Sequence, residues 1–264
     1  MSWVSAPENI FRPNKPAANF LYLAVVLCVL CGALLWSKAG RETNARPRIY
    51  LWAWERRENL KQADPAEVGI AYLAETIKLS QGGMETEPRK QPLAVAPNAQ
   101  VIAVVRIEAS RSQPPVLDKN LQESINADLD RLLASRDLRE LQIDFDAMST
   151  QRGFYRTLLT ELRRNHPKLR LGITALASWC LGDRWMHGLP IDEAVPMLFR
   201  MGPEARSVRD FLNDGGDFQE PLCRNSYGLS LDEPRPKLPE RRRIYWFNPE
   251  PWTQSEIKMV SERW

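Results

Sequence analysis

Histidine is almost absent from this chain: His166 and His187 are the only two in 264 residues. They stand too far apart for the ligand spacings of a metal centre, and no triad pattern surrounds either one. His166, before Pro167 at a helix end, is read as a surface residue. There is no Walker loop, HExxH helix, GxSxG elbow or nicotinamide-binding glycine fingerprint. These absences exclude most common enzyme classes, imply no metal and no cofactor, and leave chemistry by paired carboxylates. Glycine is scarce, 13 against 20 prolines, which favours rigid loops. Neither sign of charge is in excess: 36 basic and 33 acidic residues leave a net +3, so nothing points to a nucleic-acid partner. Nine tryptophans is a high count, but Trp serves cores, membrane interfaces and sugar-stacking platforms alike.

One long hydrophobic run is present. Phe20 to Trp36 carries no charge and, with Ala17 to Asn19, approaches the ~20 residues of a membrane-spanning helix. Phe20 and Tyr22 at one end and Trp36 at the other resemble interfacial anchors. Every face is apolar and no other predicted helix has a similar character to partner it, which argues against a buried helix of a soluble domain. The expected organisation is a tail over 1–19, a membrane anchor or uncleaved signal segment over 20–36, a linker over 37–47 and a folded domain over 48–264. A cleaved signal peptide, with Ser37 and Ala39 before a cut at Gly40, is the other version. Arg12 and Lys15 precede the segment, whereas Lys38, Arg41, Arg46 and Arg48 follow it. By the positive-inside rule this charge pattern favours a cytoplasmic domain. A signal-like N-terminus before one compact domain favours export. The expectation adopted is a single-pass protein of the bacterial inner membrane with its domain in the periplasm, or an exported one.

Four cysteines divide between the two regions. Cys28 and Cys31 lie in the apolar run with no His or carboxylate nearby and are read as lipid-facing thiols. Cys180 and Cys223 lie in the folded region, where a disulfide and two buried thiols are both compatible with the sequence.

From Arg48 onward, eight apolar runs alternate with polar or helical stretches. They are Ile49 to Trp54, Val68 to Leu79, Val101 to Ile107, Leu141 to Asp146, Leu169 to Ala177, Val195 to Met201, Tyr227 to Leu231 and Arg243 to Phe247. Gly82-Gly83 marks a hairpin turn. Helical spacing appears over Leu121 to Leu133, Gln151 to Asn165 and Pro203 to Leu212. It appears again over Thr253 to Val260, which opens with a Thr253/Glu256 capping box. Strand and helix alternating eight times predict a (β/α)8 TIM-like barrel of minimal size, with some outer helices small or missing. An open doubly wound sheet is the alternative; the lack of a glycine-rich phosphate loop after the first strand counts against it.

Catalytic groups of such barrels stand at the C-terminal ends of strands. The sharpest run is Leu141-Gln-Ile-Asp-Phe-Asp-Ala147, whose alternation puts Asp144 and Asp146 on one face and Leu141, Ile143 and Phe145 on the other. Reading one face of every strand gives a convergent polar set: Glu55, Glu75, Arg106, Glu108, Gln142, Asp144, Asp146, Arg200, Asp232 and Asn248. Asp146, Glu108 and Asp183 are the candidate catalytic carboxylates. Trp54, Trp179, Trp185, Arg200, Asn248 and Asp144 are the candidate substrate-binding residues. Interior ion pairing of Arg106, Asp144 and Arg200, without chemistry, is the competing reading.

Leu51-Trp-Ala-Trp-Glu-Arg56, Leu141 to Ala147, Ile173 to Asp183 and Asp192 to Met201 together resemble a bacterial family known only as a domain of unknown function. The resemblance runs from about Ile49 to Trp264. It implies a barrel similar to those of glycoside hydrolases, and the Asp144-Phe145-Asp146 strand is similar to the acidic fourth strand of the chitinase-like group. That group has a catalytic Glu two residues after the last Asp, where this chain has Met148. Three readings follow. One is an envelope glycoside hydrolase acting through Asp146 with Glu108 or Asp183 on a carbohydrate ligand. The second is a catalytically silent barrel that binds glycan, and the third is an envelope scaffold.

Overall fold

The computed structural model describes residues 46–136 and 138–262, together with Met1. The apolar segment 20–36, the tail before it and nearly all of the linker lie outside the described residues. No helix among the described residues is long and apolar enough to cross a membrane.

The apolar runs become strands: β1 (Ile49–Ala53), β2 (Glu58–Leu60), β3 (Val68–Ser80), β4 (Gly83–Pro88), β5 (Leu93–Val95), β6 (Val101–Ala109), β7 (Glu140–Asp144), β8 (Arg170–Leu176), β9 (Glu193–Met197), β10 (Ser226–Ser230) and β11 (Arg243–Phe247). Eight of them, β1, β3, β6, β7, β8, β9, β10 and β11, pair in parallel in that order, and β11 returns to β1. The ring closes through Ile49, which is level with Val68 of β3 on one side and Ile244 of β11 on the other. Strands covered on both faces tolerate near-continuous apolar sequence, and these runs are of that kind. The fold is therefore the closed parallel α/β barrel that the alternation predicts, not an open sheet.

The helices are α1 (Lys119–Arg136), α2 (Arg152–Asn165), α3 (Ala177–Leu181), α4 (Ala205–Asn213) and α5 (Gln254–Glu262). α2 buries Phe154, Leu158, Leu159 and Leu162, the stripe its sequence spacing predicts. α5 is capped as expected: Thr253 N donates to Glu256 Oε2 at 2.9 Å, and Glu256 N donates to Thr253 Oγ1 at 3.3 Å. Three crossovers contain no helix. β2 and β5 form a two-stranded parallel sheet beside the ring, β4 folds back antiparallel on the long β3, and a loop alone joins β10 to β11.

Outward strand residues join the helices in the main core; inward ones form a smaller cluster of Tyr50, Trp52, Ala71, Ile102, Val104, Val195 and Tyr245. Two glycines make room for these aromatics. A Cβ on Gly69 would lie 2.3 Å from the Tyr50 ring, and one on Gly228 would lie 2.8 Å from the Trp52 ring. Trp52 Nε1 donates to Gln142 Oε1 at 2.9 Å, which satisfies both groups inside the barrel. The N-terminal end is closed by charge. Arg46 pairs with Glu140, Arg243 Nη1 donates to Glu193 Oε1 at 2.5 Å, and the Tyr245 hydroxyl donates to Glu193 Oε2 at 2.9 Å. The space left there is about 10 Å³, room for one water at most.

Candidate functional site

The C-terminal end of the ring holds a cavity of about 390 Å³, within the size range of small-ligand sites. Residues at or just past the ends of β1, β6, β7, β8, β9 and β11 line it, as a barrel mouth requires. One side is acidic. β7 delivers Asp144 and Asp146, and Arg106 of β6 is level with Asp144 in the parallel register. Asp144 is buried, and its Oδ1 accepts from the Thr174 hydroxyl of β8 at 2.6 Å. Burial pushes the Asp144 carboxyl up; the Thr174 hydrogen bond and Arg106 oppose this, while Asp146 and Glu108 add to it. Asp146 is exposed at the rim, and partial desolvation pushes its carboxyl up as well, against the pull of Arg106 and Arg111.

Arg106 Nε is 2.8 Å from Glu108 Oε1. Beyond this pair a second chamber of about 210 Å³ opens, lined by Arg106, Glu108, Arg111, Asp144, Asp146, Met148 and Gln151 among others. Arg106, Asp144 and Asp146 line both chambers and form the partition between them.

The opposite side of the larger chamber is apolar. Trp54, Met197, Phe199, Met201 and Phe247 line it. Phe199 and Phe247 stack in parallel, with ring centroids 5.3 Å apart. Arg200 stands at its edge with φ +53°, held by Asp232 at 2.7 Å and by Glu233 at 2.7 Å, while its backbone N donates to Glu233 at 2.9 Å. Of the residues singled out from the sequence, the mouth thus gathers Asp144, Asp146, Glu108, Trp54 and Arg200.

Others lie elsewhere. Asp183 is 2.6 Å from Arg152 and accepts from Trp185 N at 3.3 Å; it lines a separate cleft beside Trp179 and Gln219. Trp179 and Trp185 meet edge to face at 4.9 Å, with Arg152 over both rings, so they pack among outer elements. Asn248 is buried in the loop after β11, donating to Glu256 at 3.1 Å and accepting from Glu250 N at 3.1 Å. Glu55 accepts from the backbone N of Lys90 and of Gln91, both at 2.9 Å.

Glu75 departs from the convergent set for a clear reason. The register of β3 against β6 shifts between Leu73 and Glu75, and this bulge breaks the alternation. Glu75 then faces Asp128 on α1 instead of the mouth. Phe199, Phe247, Thr174 and Arg111 were not singled out from the sequence. The first three continue inward alternation from Met197, Tyr245 and Gly172, so following the inward face along β8 and β11, and two residues past the end of β9, would have found them. Arg111 sits in an irregular stretch with no such signal.

Among the described residues no group of three or more His, Cys, Asp or Glu side chains could hold a metal ion. No family model and no curated protein matches the chain.

Proposed function

We propose that the barrel hydrolyses a glycosidic bond at its C-terminal mouth, with Asp146 as general acid and Glu108 as the base. The observation that supports this most is the difference between two carboxylates sharing one chamber. Asp146 stands at the rim with its carboxyl pushed up, which suits a proton donor, whereas Glu108 is oriented by Arg106 Nε at 2.8 Å, beside the chamber from which a water would attack. In that reaction Asp146 protonates the leaving oxygen, Glu108 deprotonates the attacking water, and the water adds to the anomeric carbon. Asp144 lies deeper, fixed by Thr174 and level with Arg106, which in turn pairs with Glu108. The Phe199–Phe247 stack and Trp54 offer a flat apolar wall for a sugar ring. Asp183 takes no part, since it is held by Arg152 in a different cleft.

The test is hydrolysis of a panel of chromogenic glycosides by wild type and Asp146→Asn. The expected loss is roughly 10²-fold or more for the substrates that are cleaved. Equal rates in the two proteins would remove Asp146 from the chemistry. A second reading, glycan binding without turnover, is favoured by one observation. Met148 stands half-exposed on the smaller chamber where chitinase-like strands carry their acid. Binding on a glycan array with no cleavage would select it.

The apolar segment at 20–36 and the bond joining Cys180 to Cys223 support an envelope location, with the segment as an inner-membrane anchor and the barrel on the oxidising side.

A further inference from the structure

The larger chamber holds two guanidinium groups, and both form their ion pairs with carboxylates other than Asp144 and Asp146. Arg106 pairs with Glu108 at 2.8 Å, and Arg200 pairs with Asp232 and Glu233, each at 2.7 Å. Asp144, Asp146 and Glu204 line the same chamber and make no ion pair among the described residues. Arg111 approaches Asp146 from the smaller chamber only. Asp144 is more than nine-tenths buried, and its one hydrogen bond is the 2.6 Å contact from Thr174 to Oδ1, so Oδ2 is left without a partner while the side chain lines the cavity. Oδ2 therefore opens on the cavity, where a ligand's donor can reach it. Across the chamber stands the apolar wall of Trp54, Phe199 and Phe247.

We infer that the sugar held in this chamber is an amino sugar with a free, protonated amine, its apolar ring face against the aromatic wall and its ammonium group on Asp144. The inference rests on the glycan reading above and narrows it. An ammonium group carries three donors and would supply the charge and the hydrogen bonds that the chamber lacks. An N-acetyl group in the same place would bring no charge and only one amide donor, and would add nothing to the counter-charge of Arg106.

The test is calorimetric titration of the full-length protein with three probe series that share one backbone and differ in a single substituent: chitosan, chitin and cellulose oligosaccharides. Glucosamine, N-acetylglucosamine and glucose serve as linkage-independent controls. The expected result is binding of the amine series about tenfold or more tighter than the other two, as one added charge-assisted contact would give. Asp144→Asn should reduce that preference, measured as the ratio of chitosan to cellulose affinity within the variant. Equal affinity for all three, or a preference for the acetylated series, would overturn the amine inference and leave the glycan reading standing. No binding of any probe would overturn both. Because the comparison among ligands is made within the wild type, a folding defect in the variant does not affect it.

Discussion

Asp144 and Asp146 are two residues apart on one strand but held differently. Asp144 sits deep, fixed by Thr174 at 2.6 Å, whereas Asp146 stands at the junction of the two chambers. Their shared orientation follows from the two-residue period of a strand, which any regular alternation reveals. Glu75 shows where that reasoning stops. One extra residue in β3 turns it away from the mouth and against Asp128, and a bulge leaves no mark in the apolar pattern. Burial, then the Asp128 charge and a hydrogen bond to it, push Glu75 up to about 7 from an ordinary 4.5, while Arg131 and Arg136 oppose. Between those values the folded chain holds a proton that the unfolded chain has released. The stability this contributes is full below about 4.5 and is lost as the pH rises through about 7. Glu75→Gln keeps the shape and removes the titration. The variant should lose less stability than wild type between pH 5 and pH 8, and should exceed it at pH 8 by on the order of 2 kcal/mol. Urea unfolding at the two pH values reads this directly, and parallel pH dependence in both proteins would refute it.

Among the elements, the closure between α3 and the turn Pro221–Arg224 depends on one covalent bond. Cys180 and Cys223 are joined with Cα atoms 5.9 Å apart, and the Cys180 carbonyl also accepts from Gln219 N at 2.9 Å and Glu220 N at 3.2 Å. The bond closes a loop of 43 residues, for which chain-entropy arguments give about 4 kcal/mol. Reductant, or the Cys180→Ser and Cys223→Ser pair, should lower the thermal midpoint by several degrees; unchanged melting with and without reductant would show that the bond carries little. Two cysteines this far apart in sequence left the pairing open, because proximity is a property of the folded chain. The tight approach at Gly69 belongs to the same scale. Gly69→Ala would drive a methyl into the buried Tyr50 ring, and destabilisation of about 2 kcal/mol or more is expected from chemical denaturation. A variant as stable as wild type would mean the ring can move aside. Helix α2 and the capped start of α5 were readable in advance because their signals span one or two turns. The β2–β5 sheet was not, since its strands are three residues each and pair across a long insertion.

For the molecule as a whole, closure sends every inward side chain past the strand ends to one rim, and the charged N-terminal end leaves the opposite rim as the place for a ligand. If the apolar segment anchors the chain and the barrel lies outside the inner membrane, a C-terminal alkaline phosphatase fusion should be active in whole cells and a C-terminal fluorescent protein dark. The reverse pattern would place the barrel in the cytoplasm, as the Lys and Arg count after the segment favours by the positive-inside rule. Local periodicity sufficed for the eight strands, the long helices and the pairing of Asp144 with Asp146 on one face, because each is set by neighbours within a few residues. Which carboxylates share a chamber depends on register between strands and on where the loops settle. Glu108 stands with Asp146, whereas Asp183 turns away to Arg152. The same holds for the aromatic wall, built by Phe199 and Phe247 from distant strands and not by Trp179 and Trp185. Those outcomes are contacts between segments tens of residues apart, and only packing in three dimensions settles such contacts.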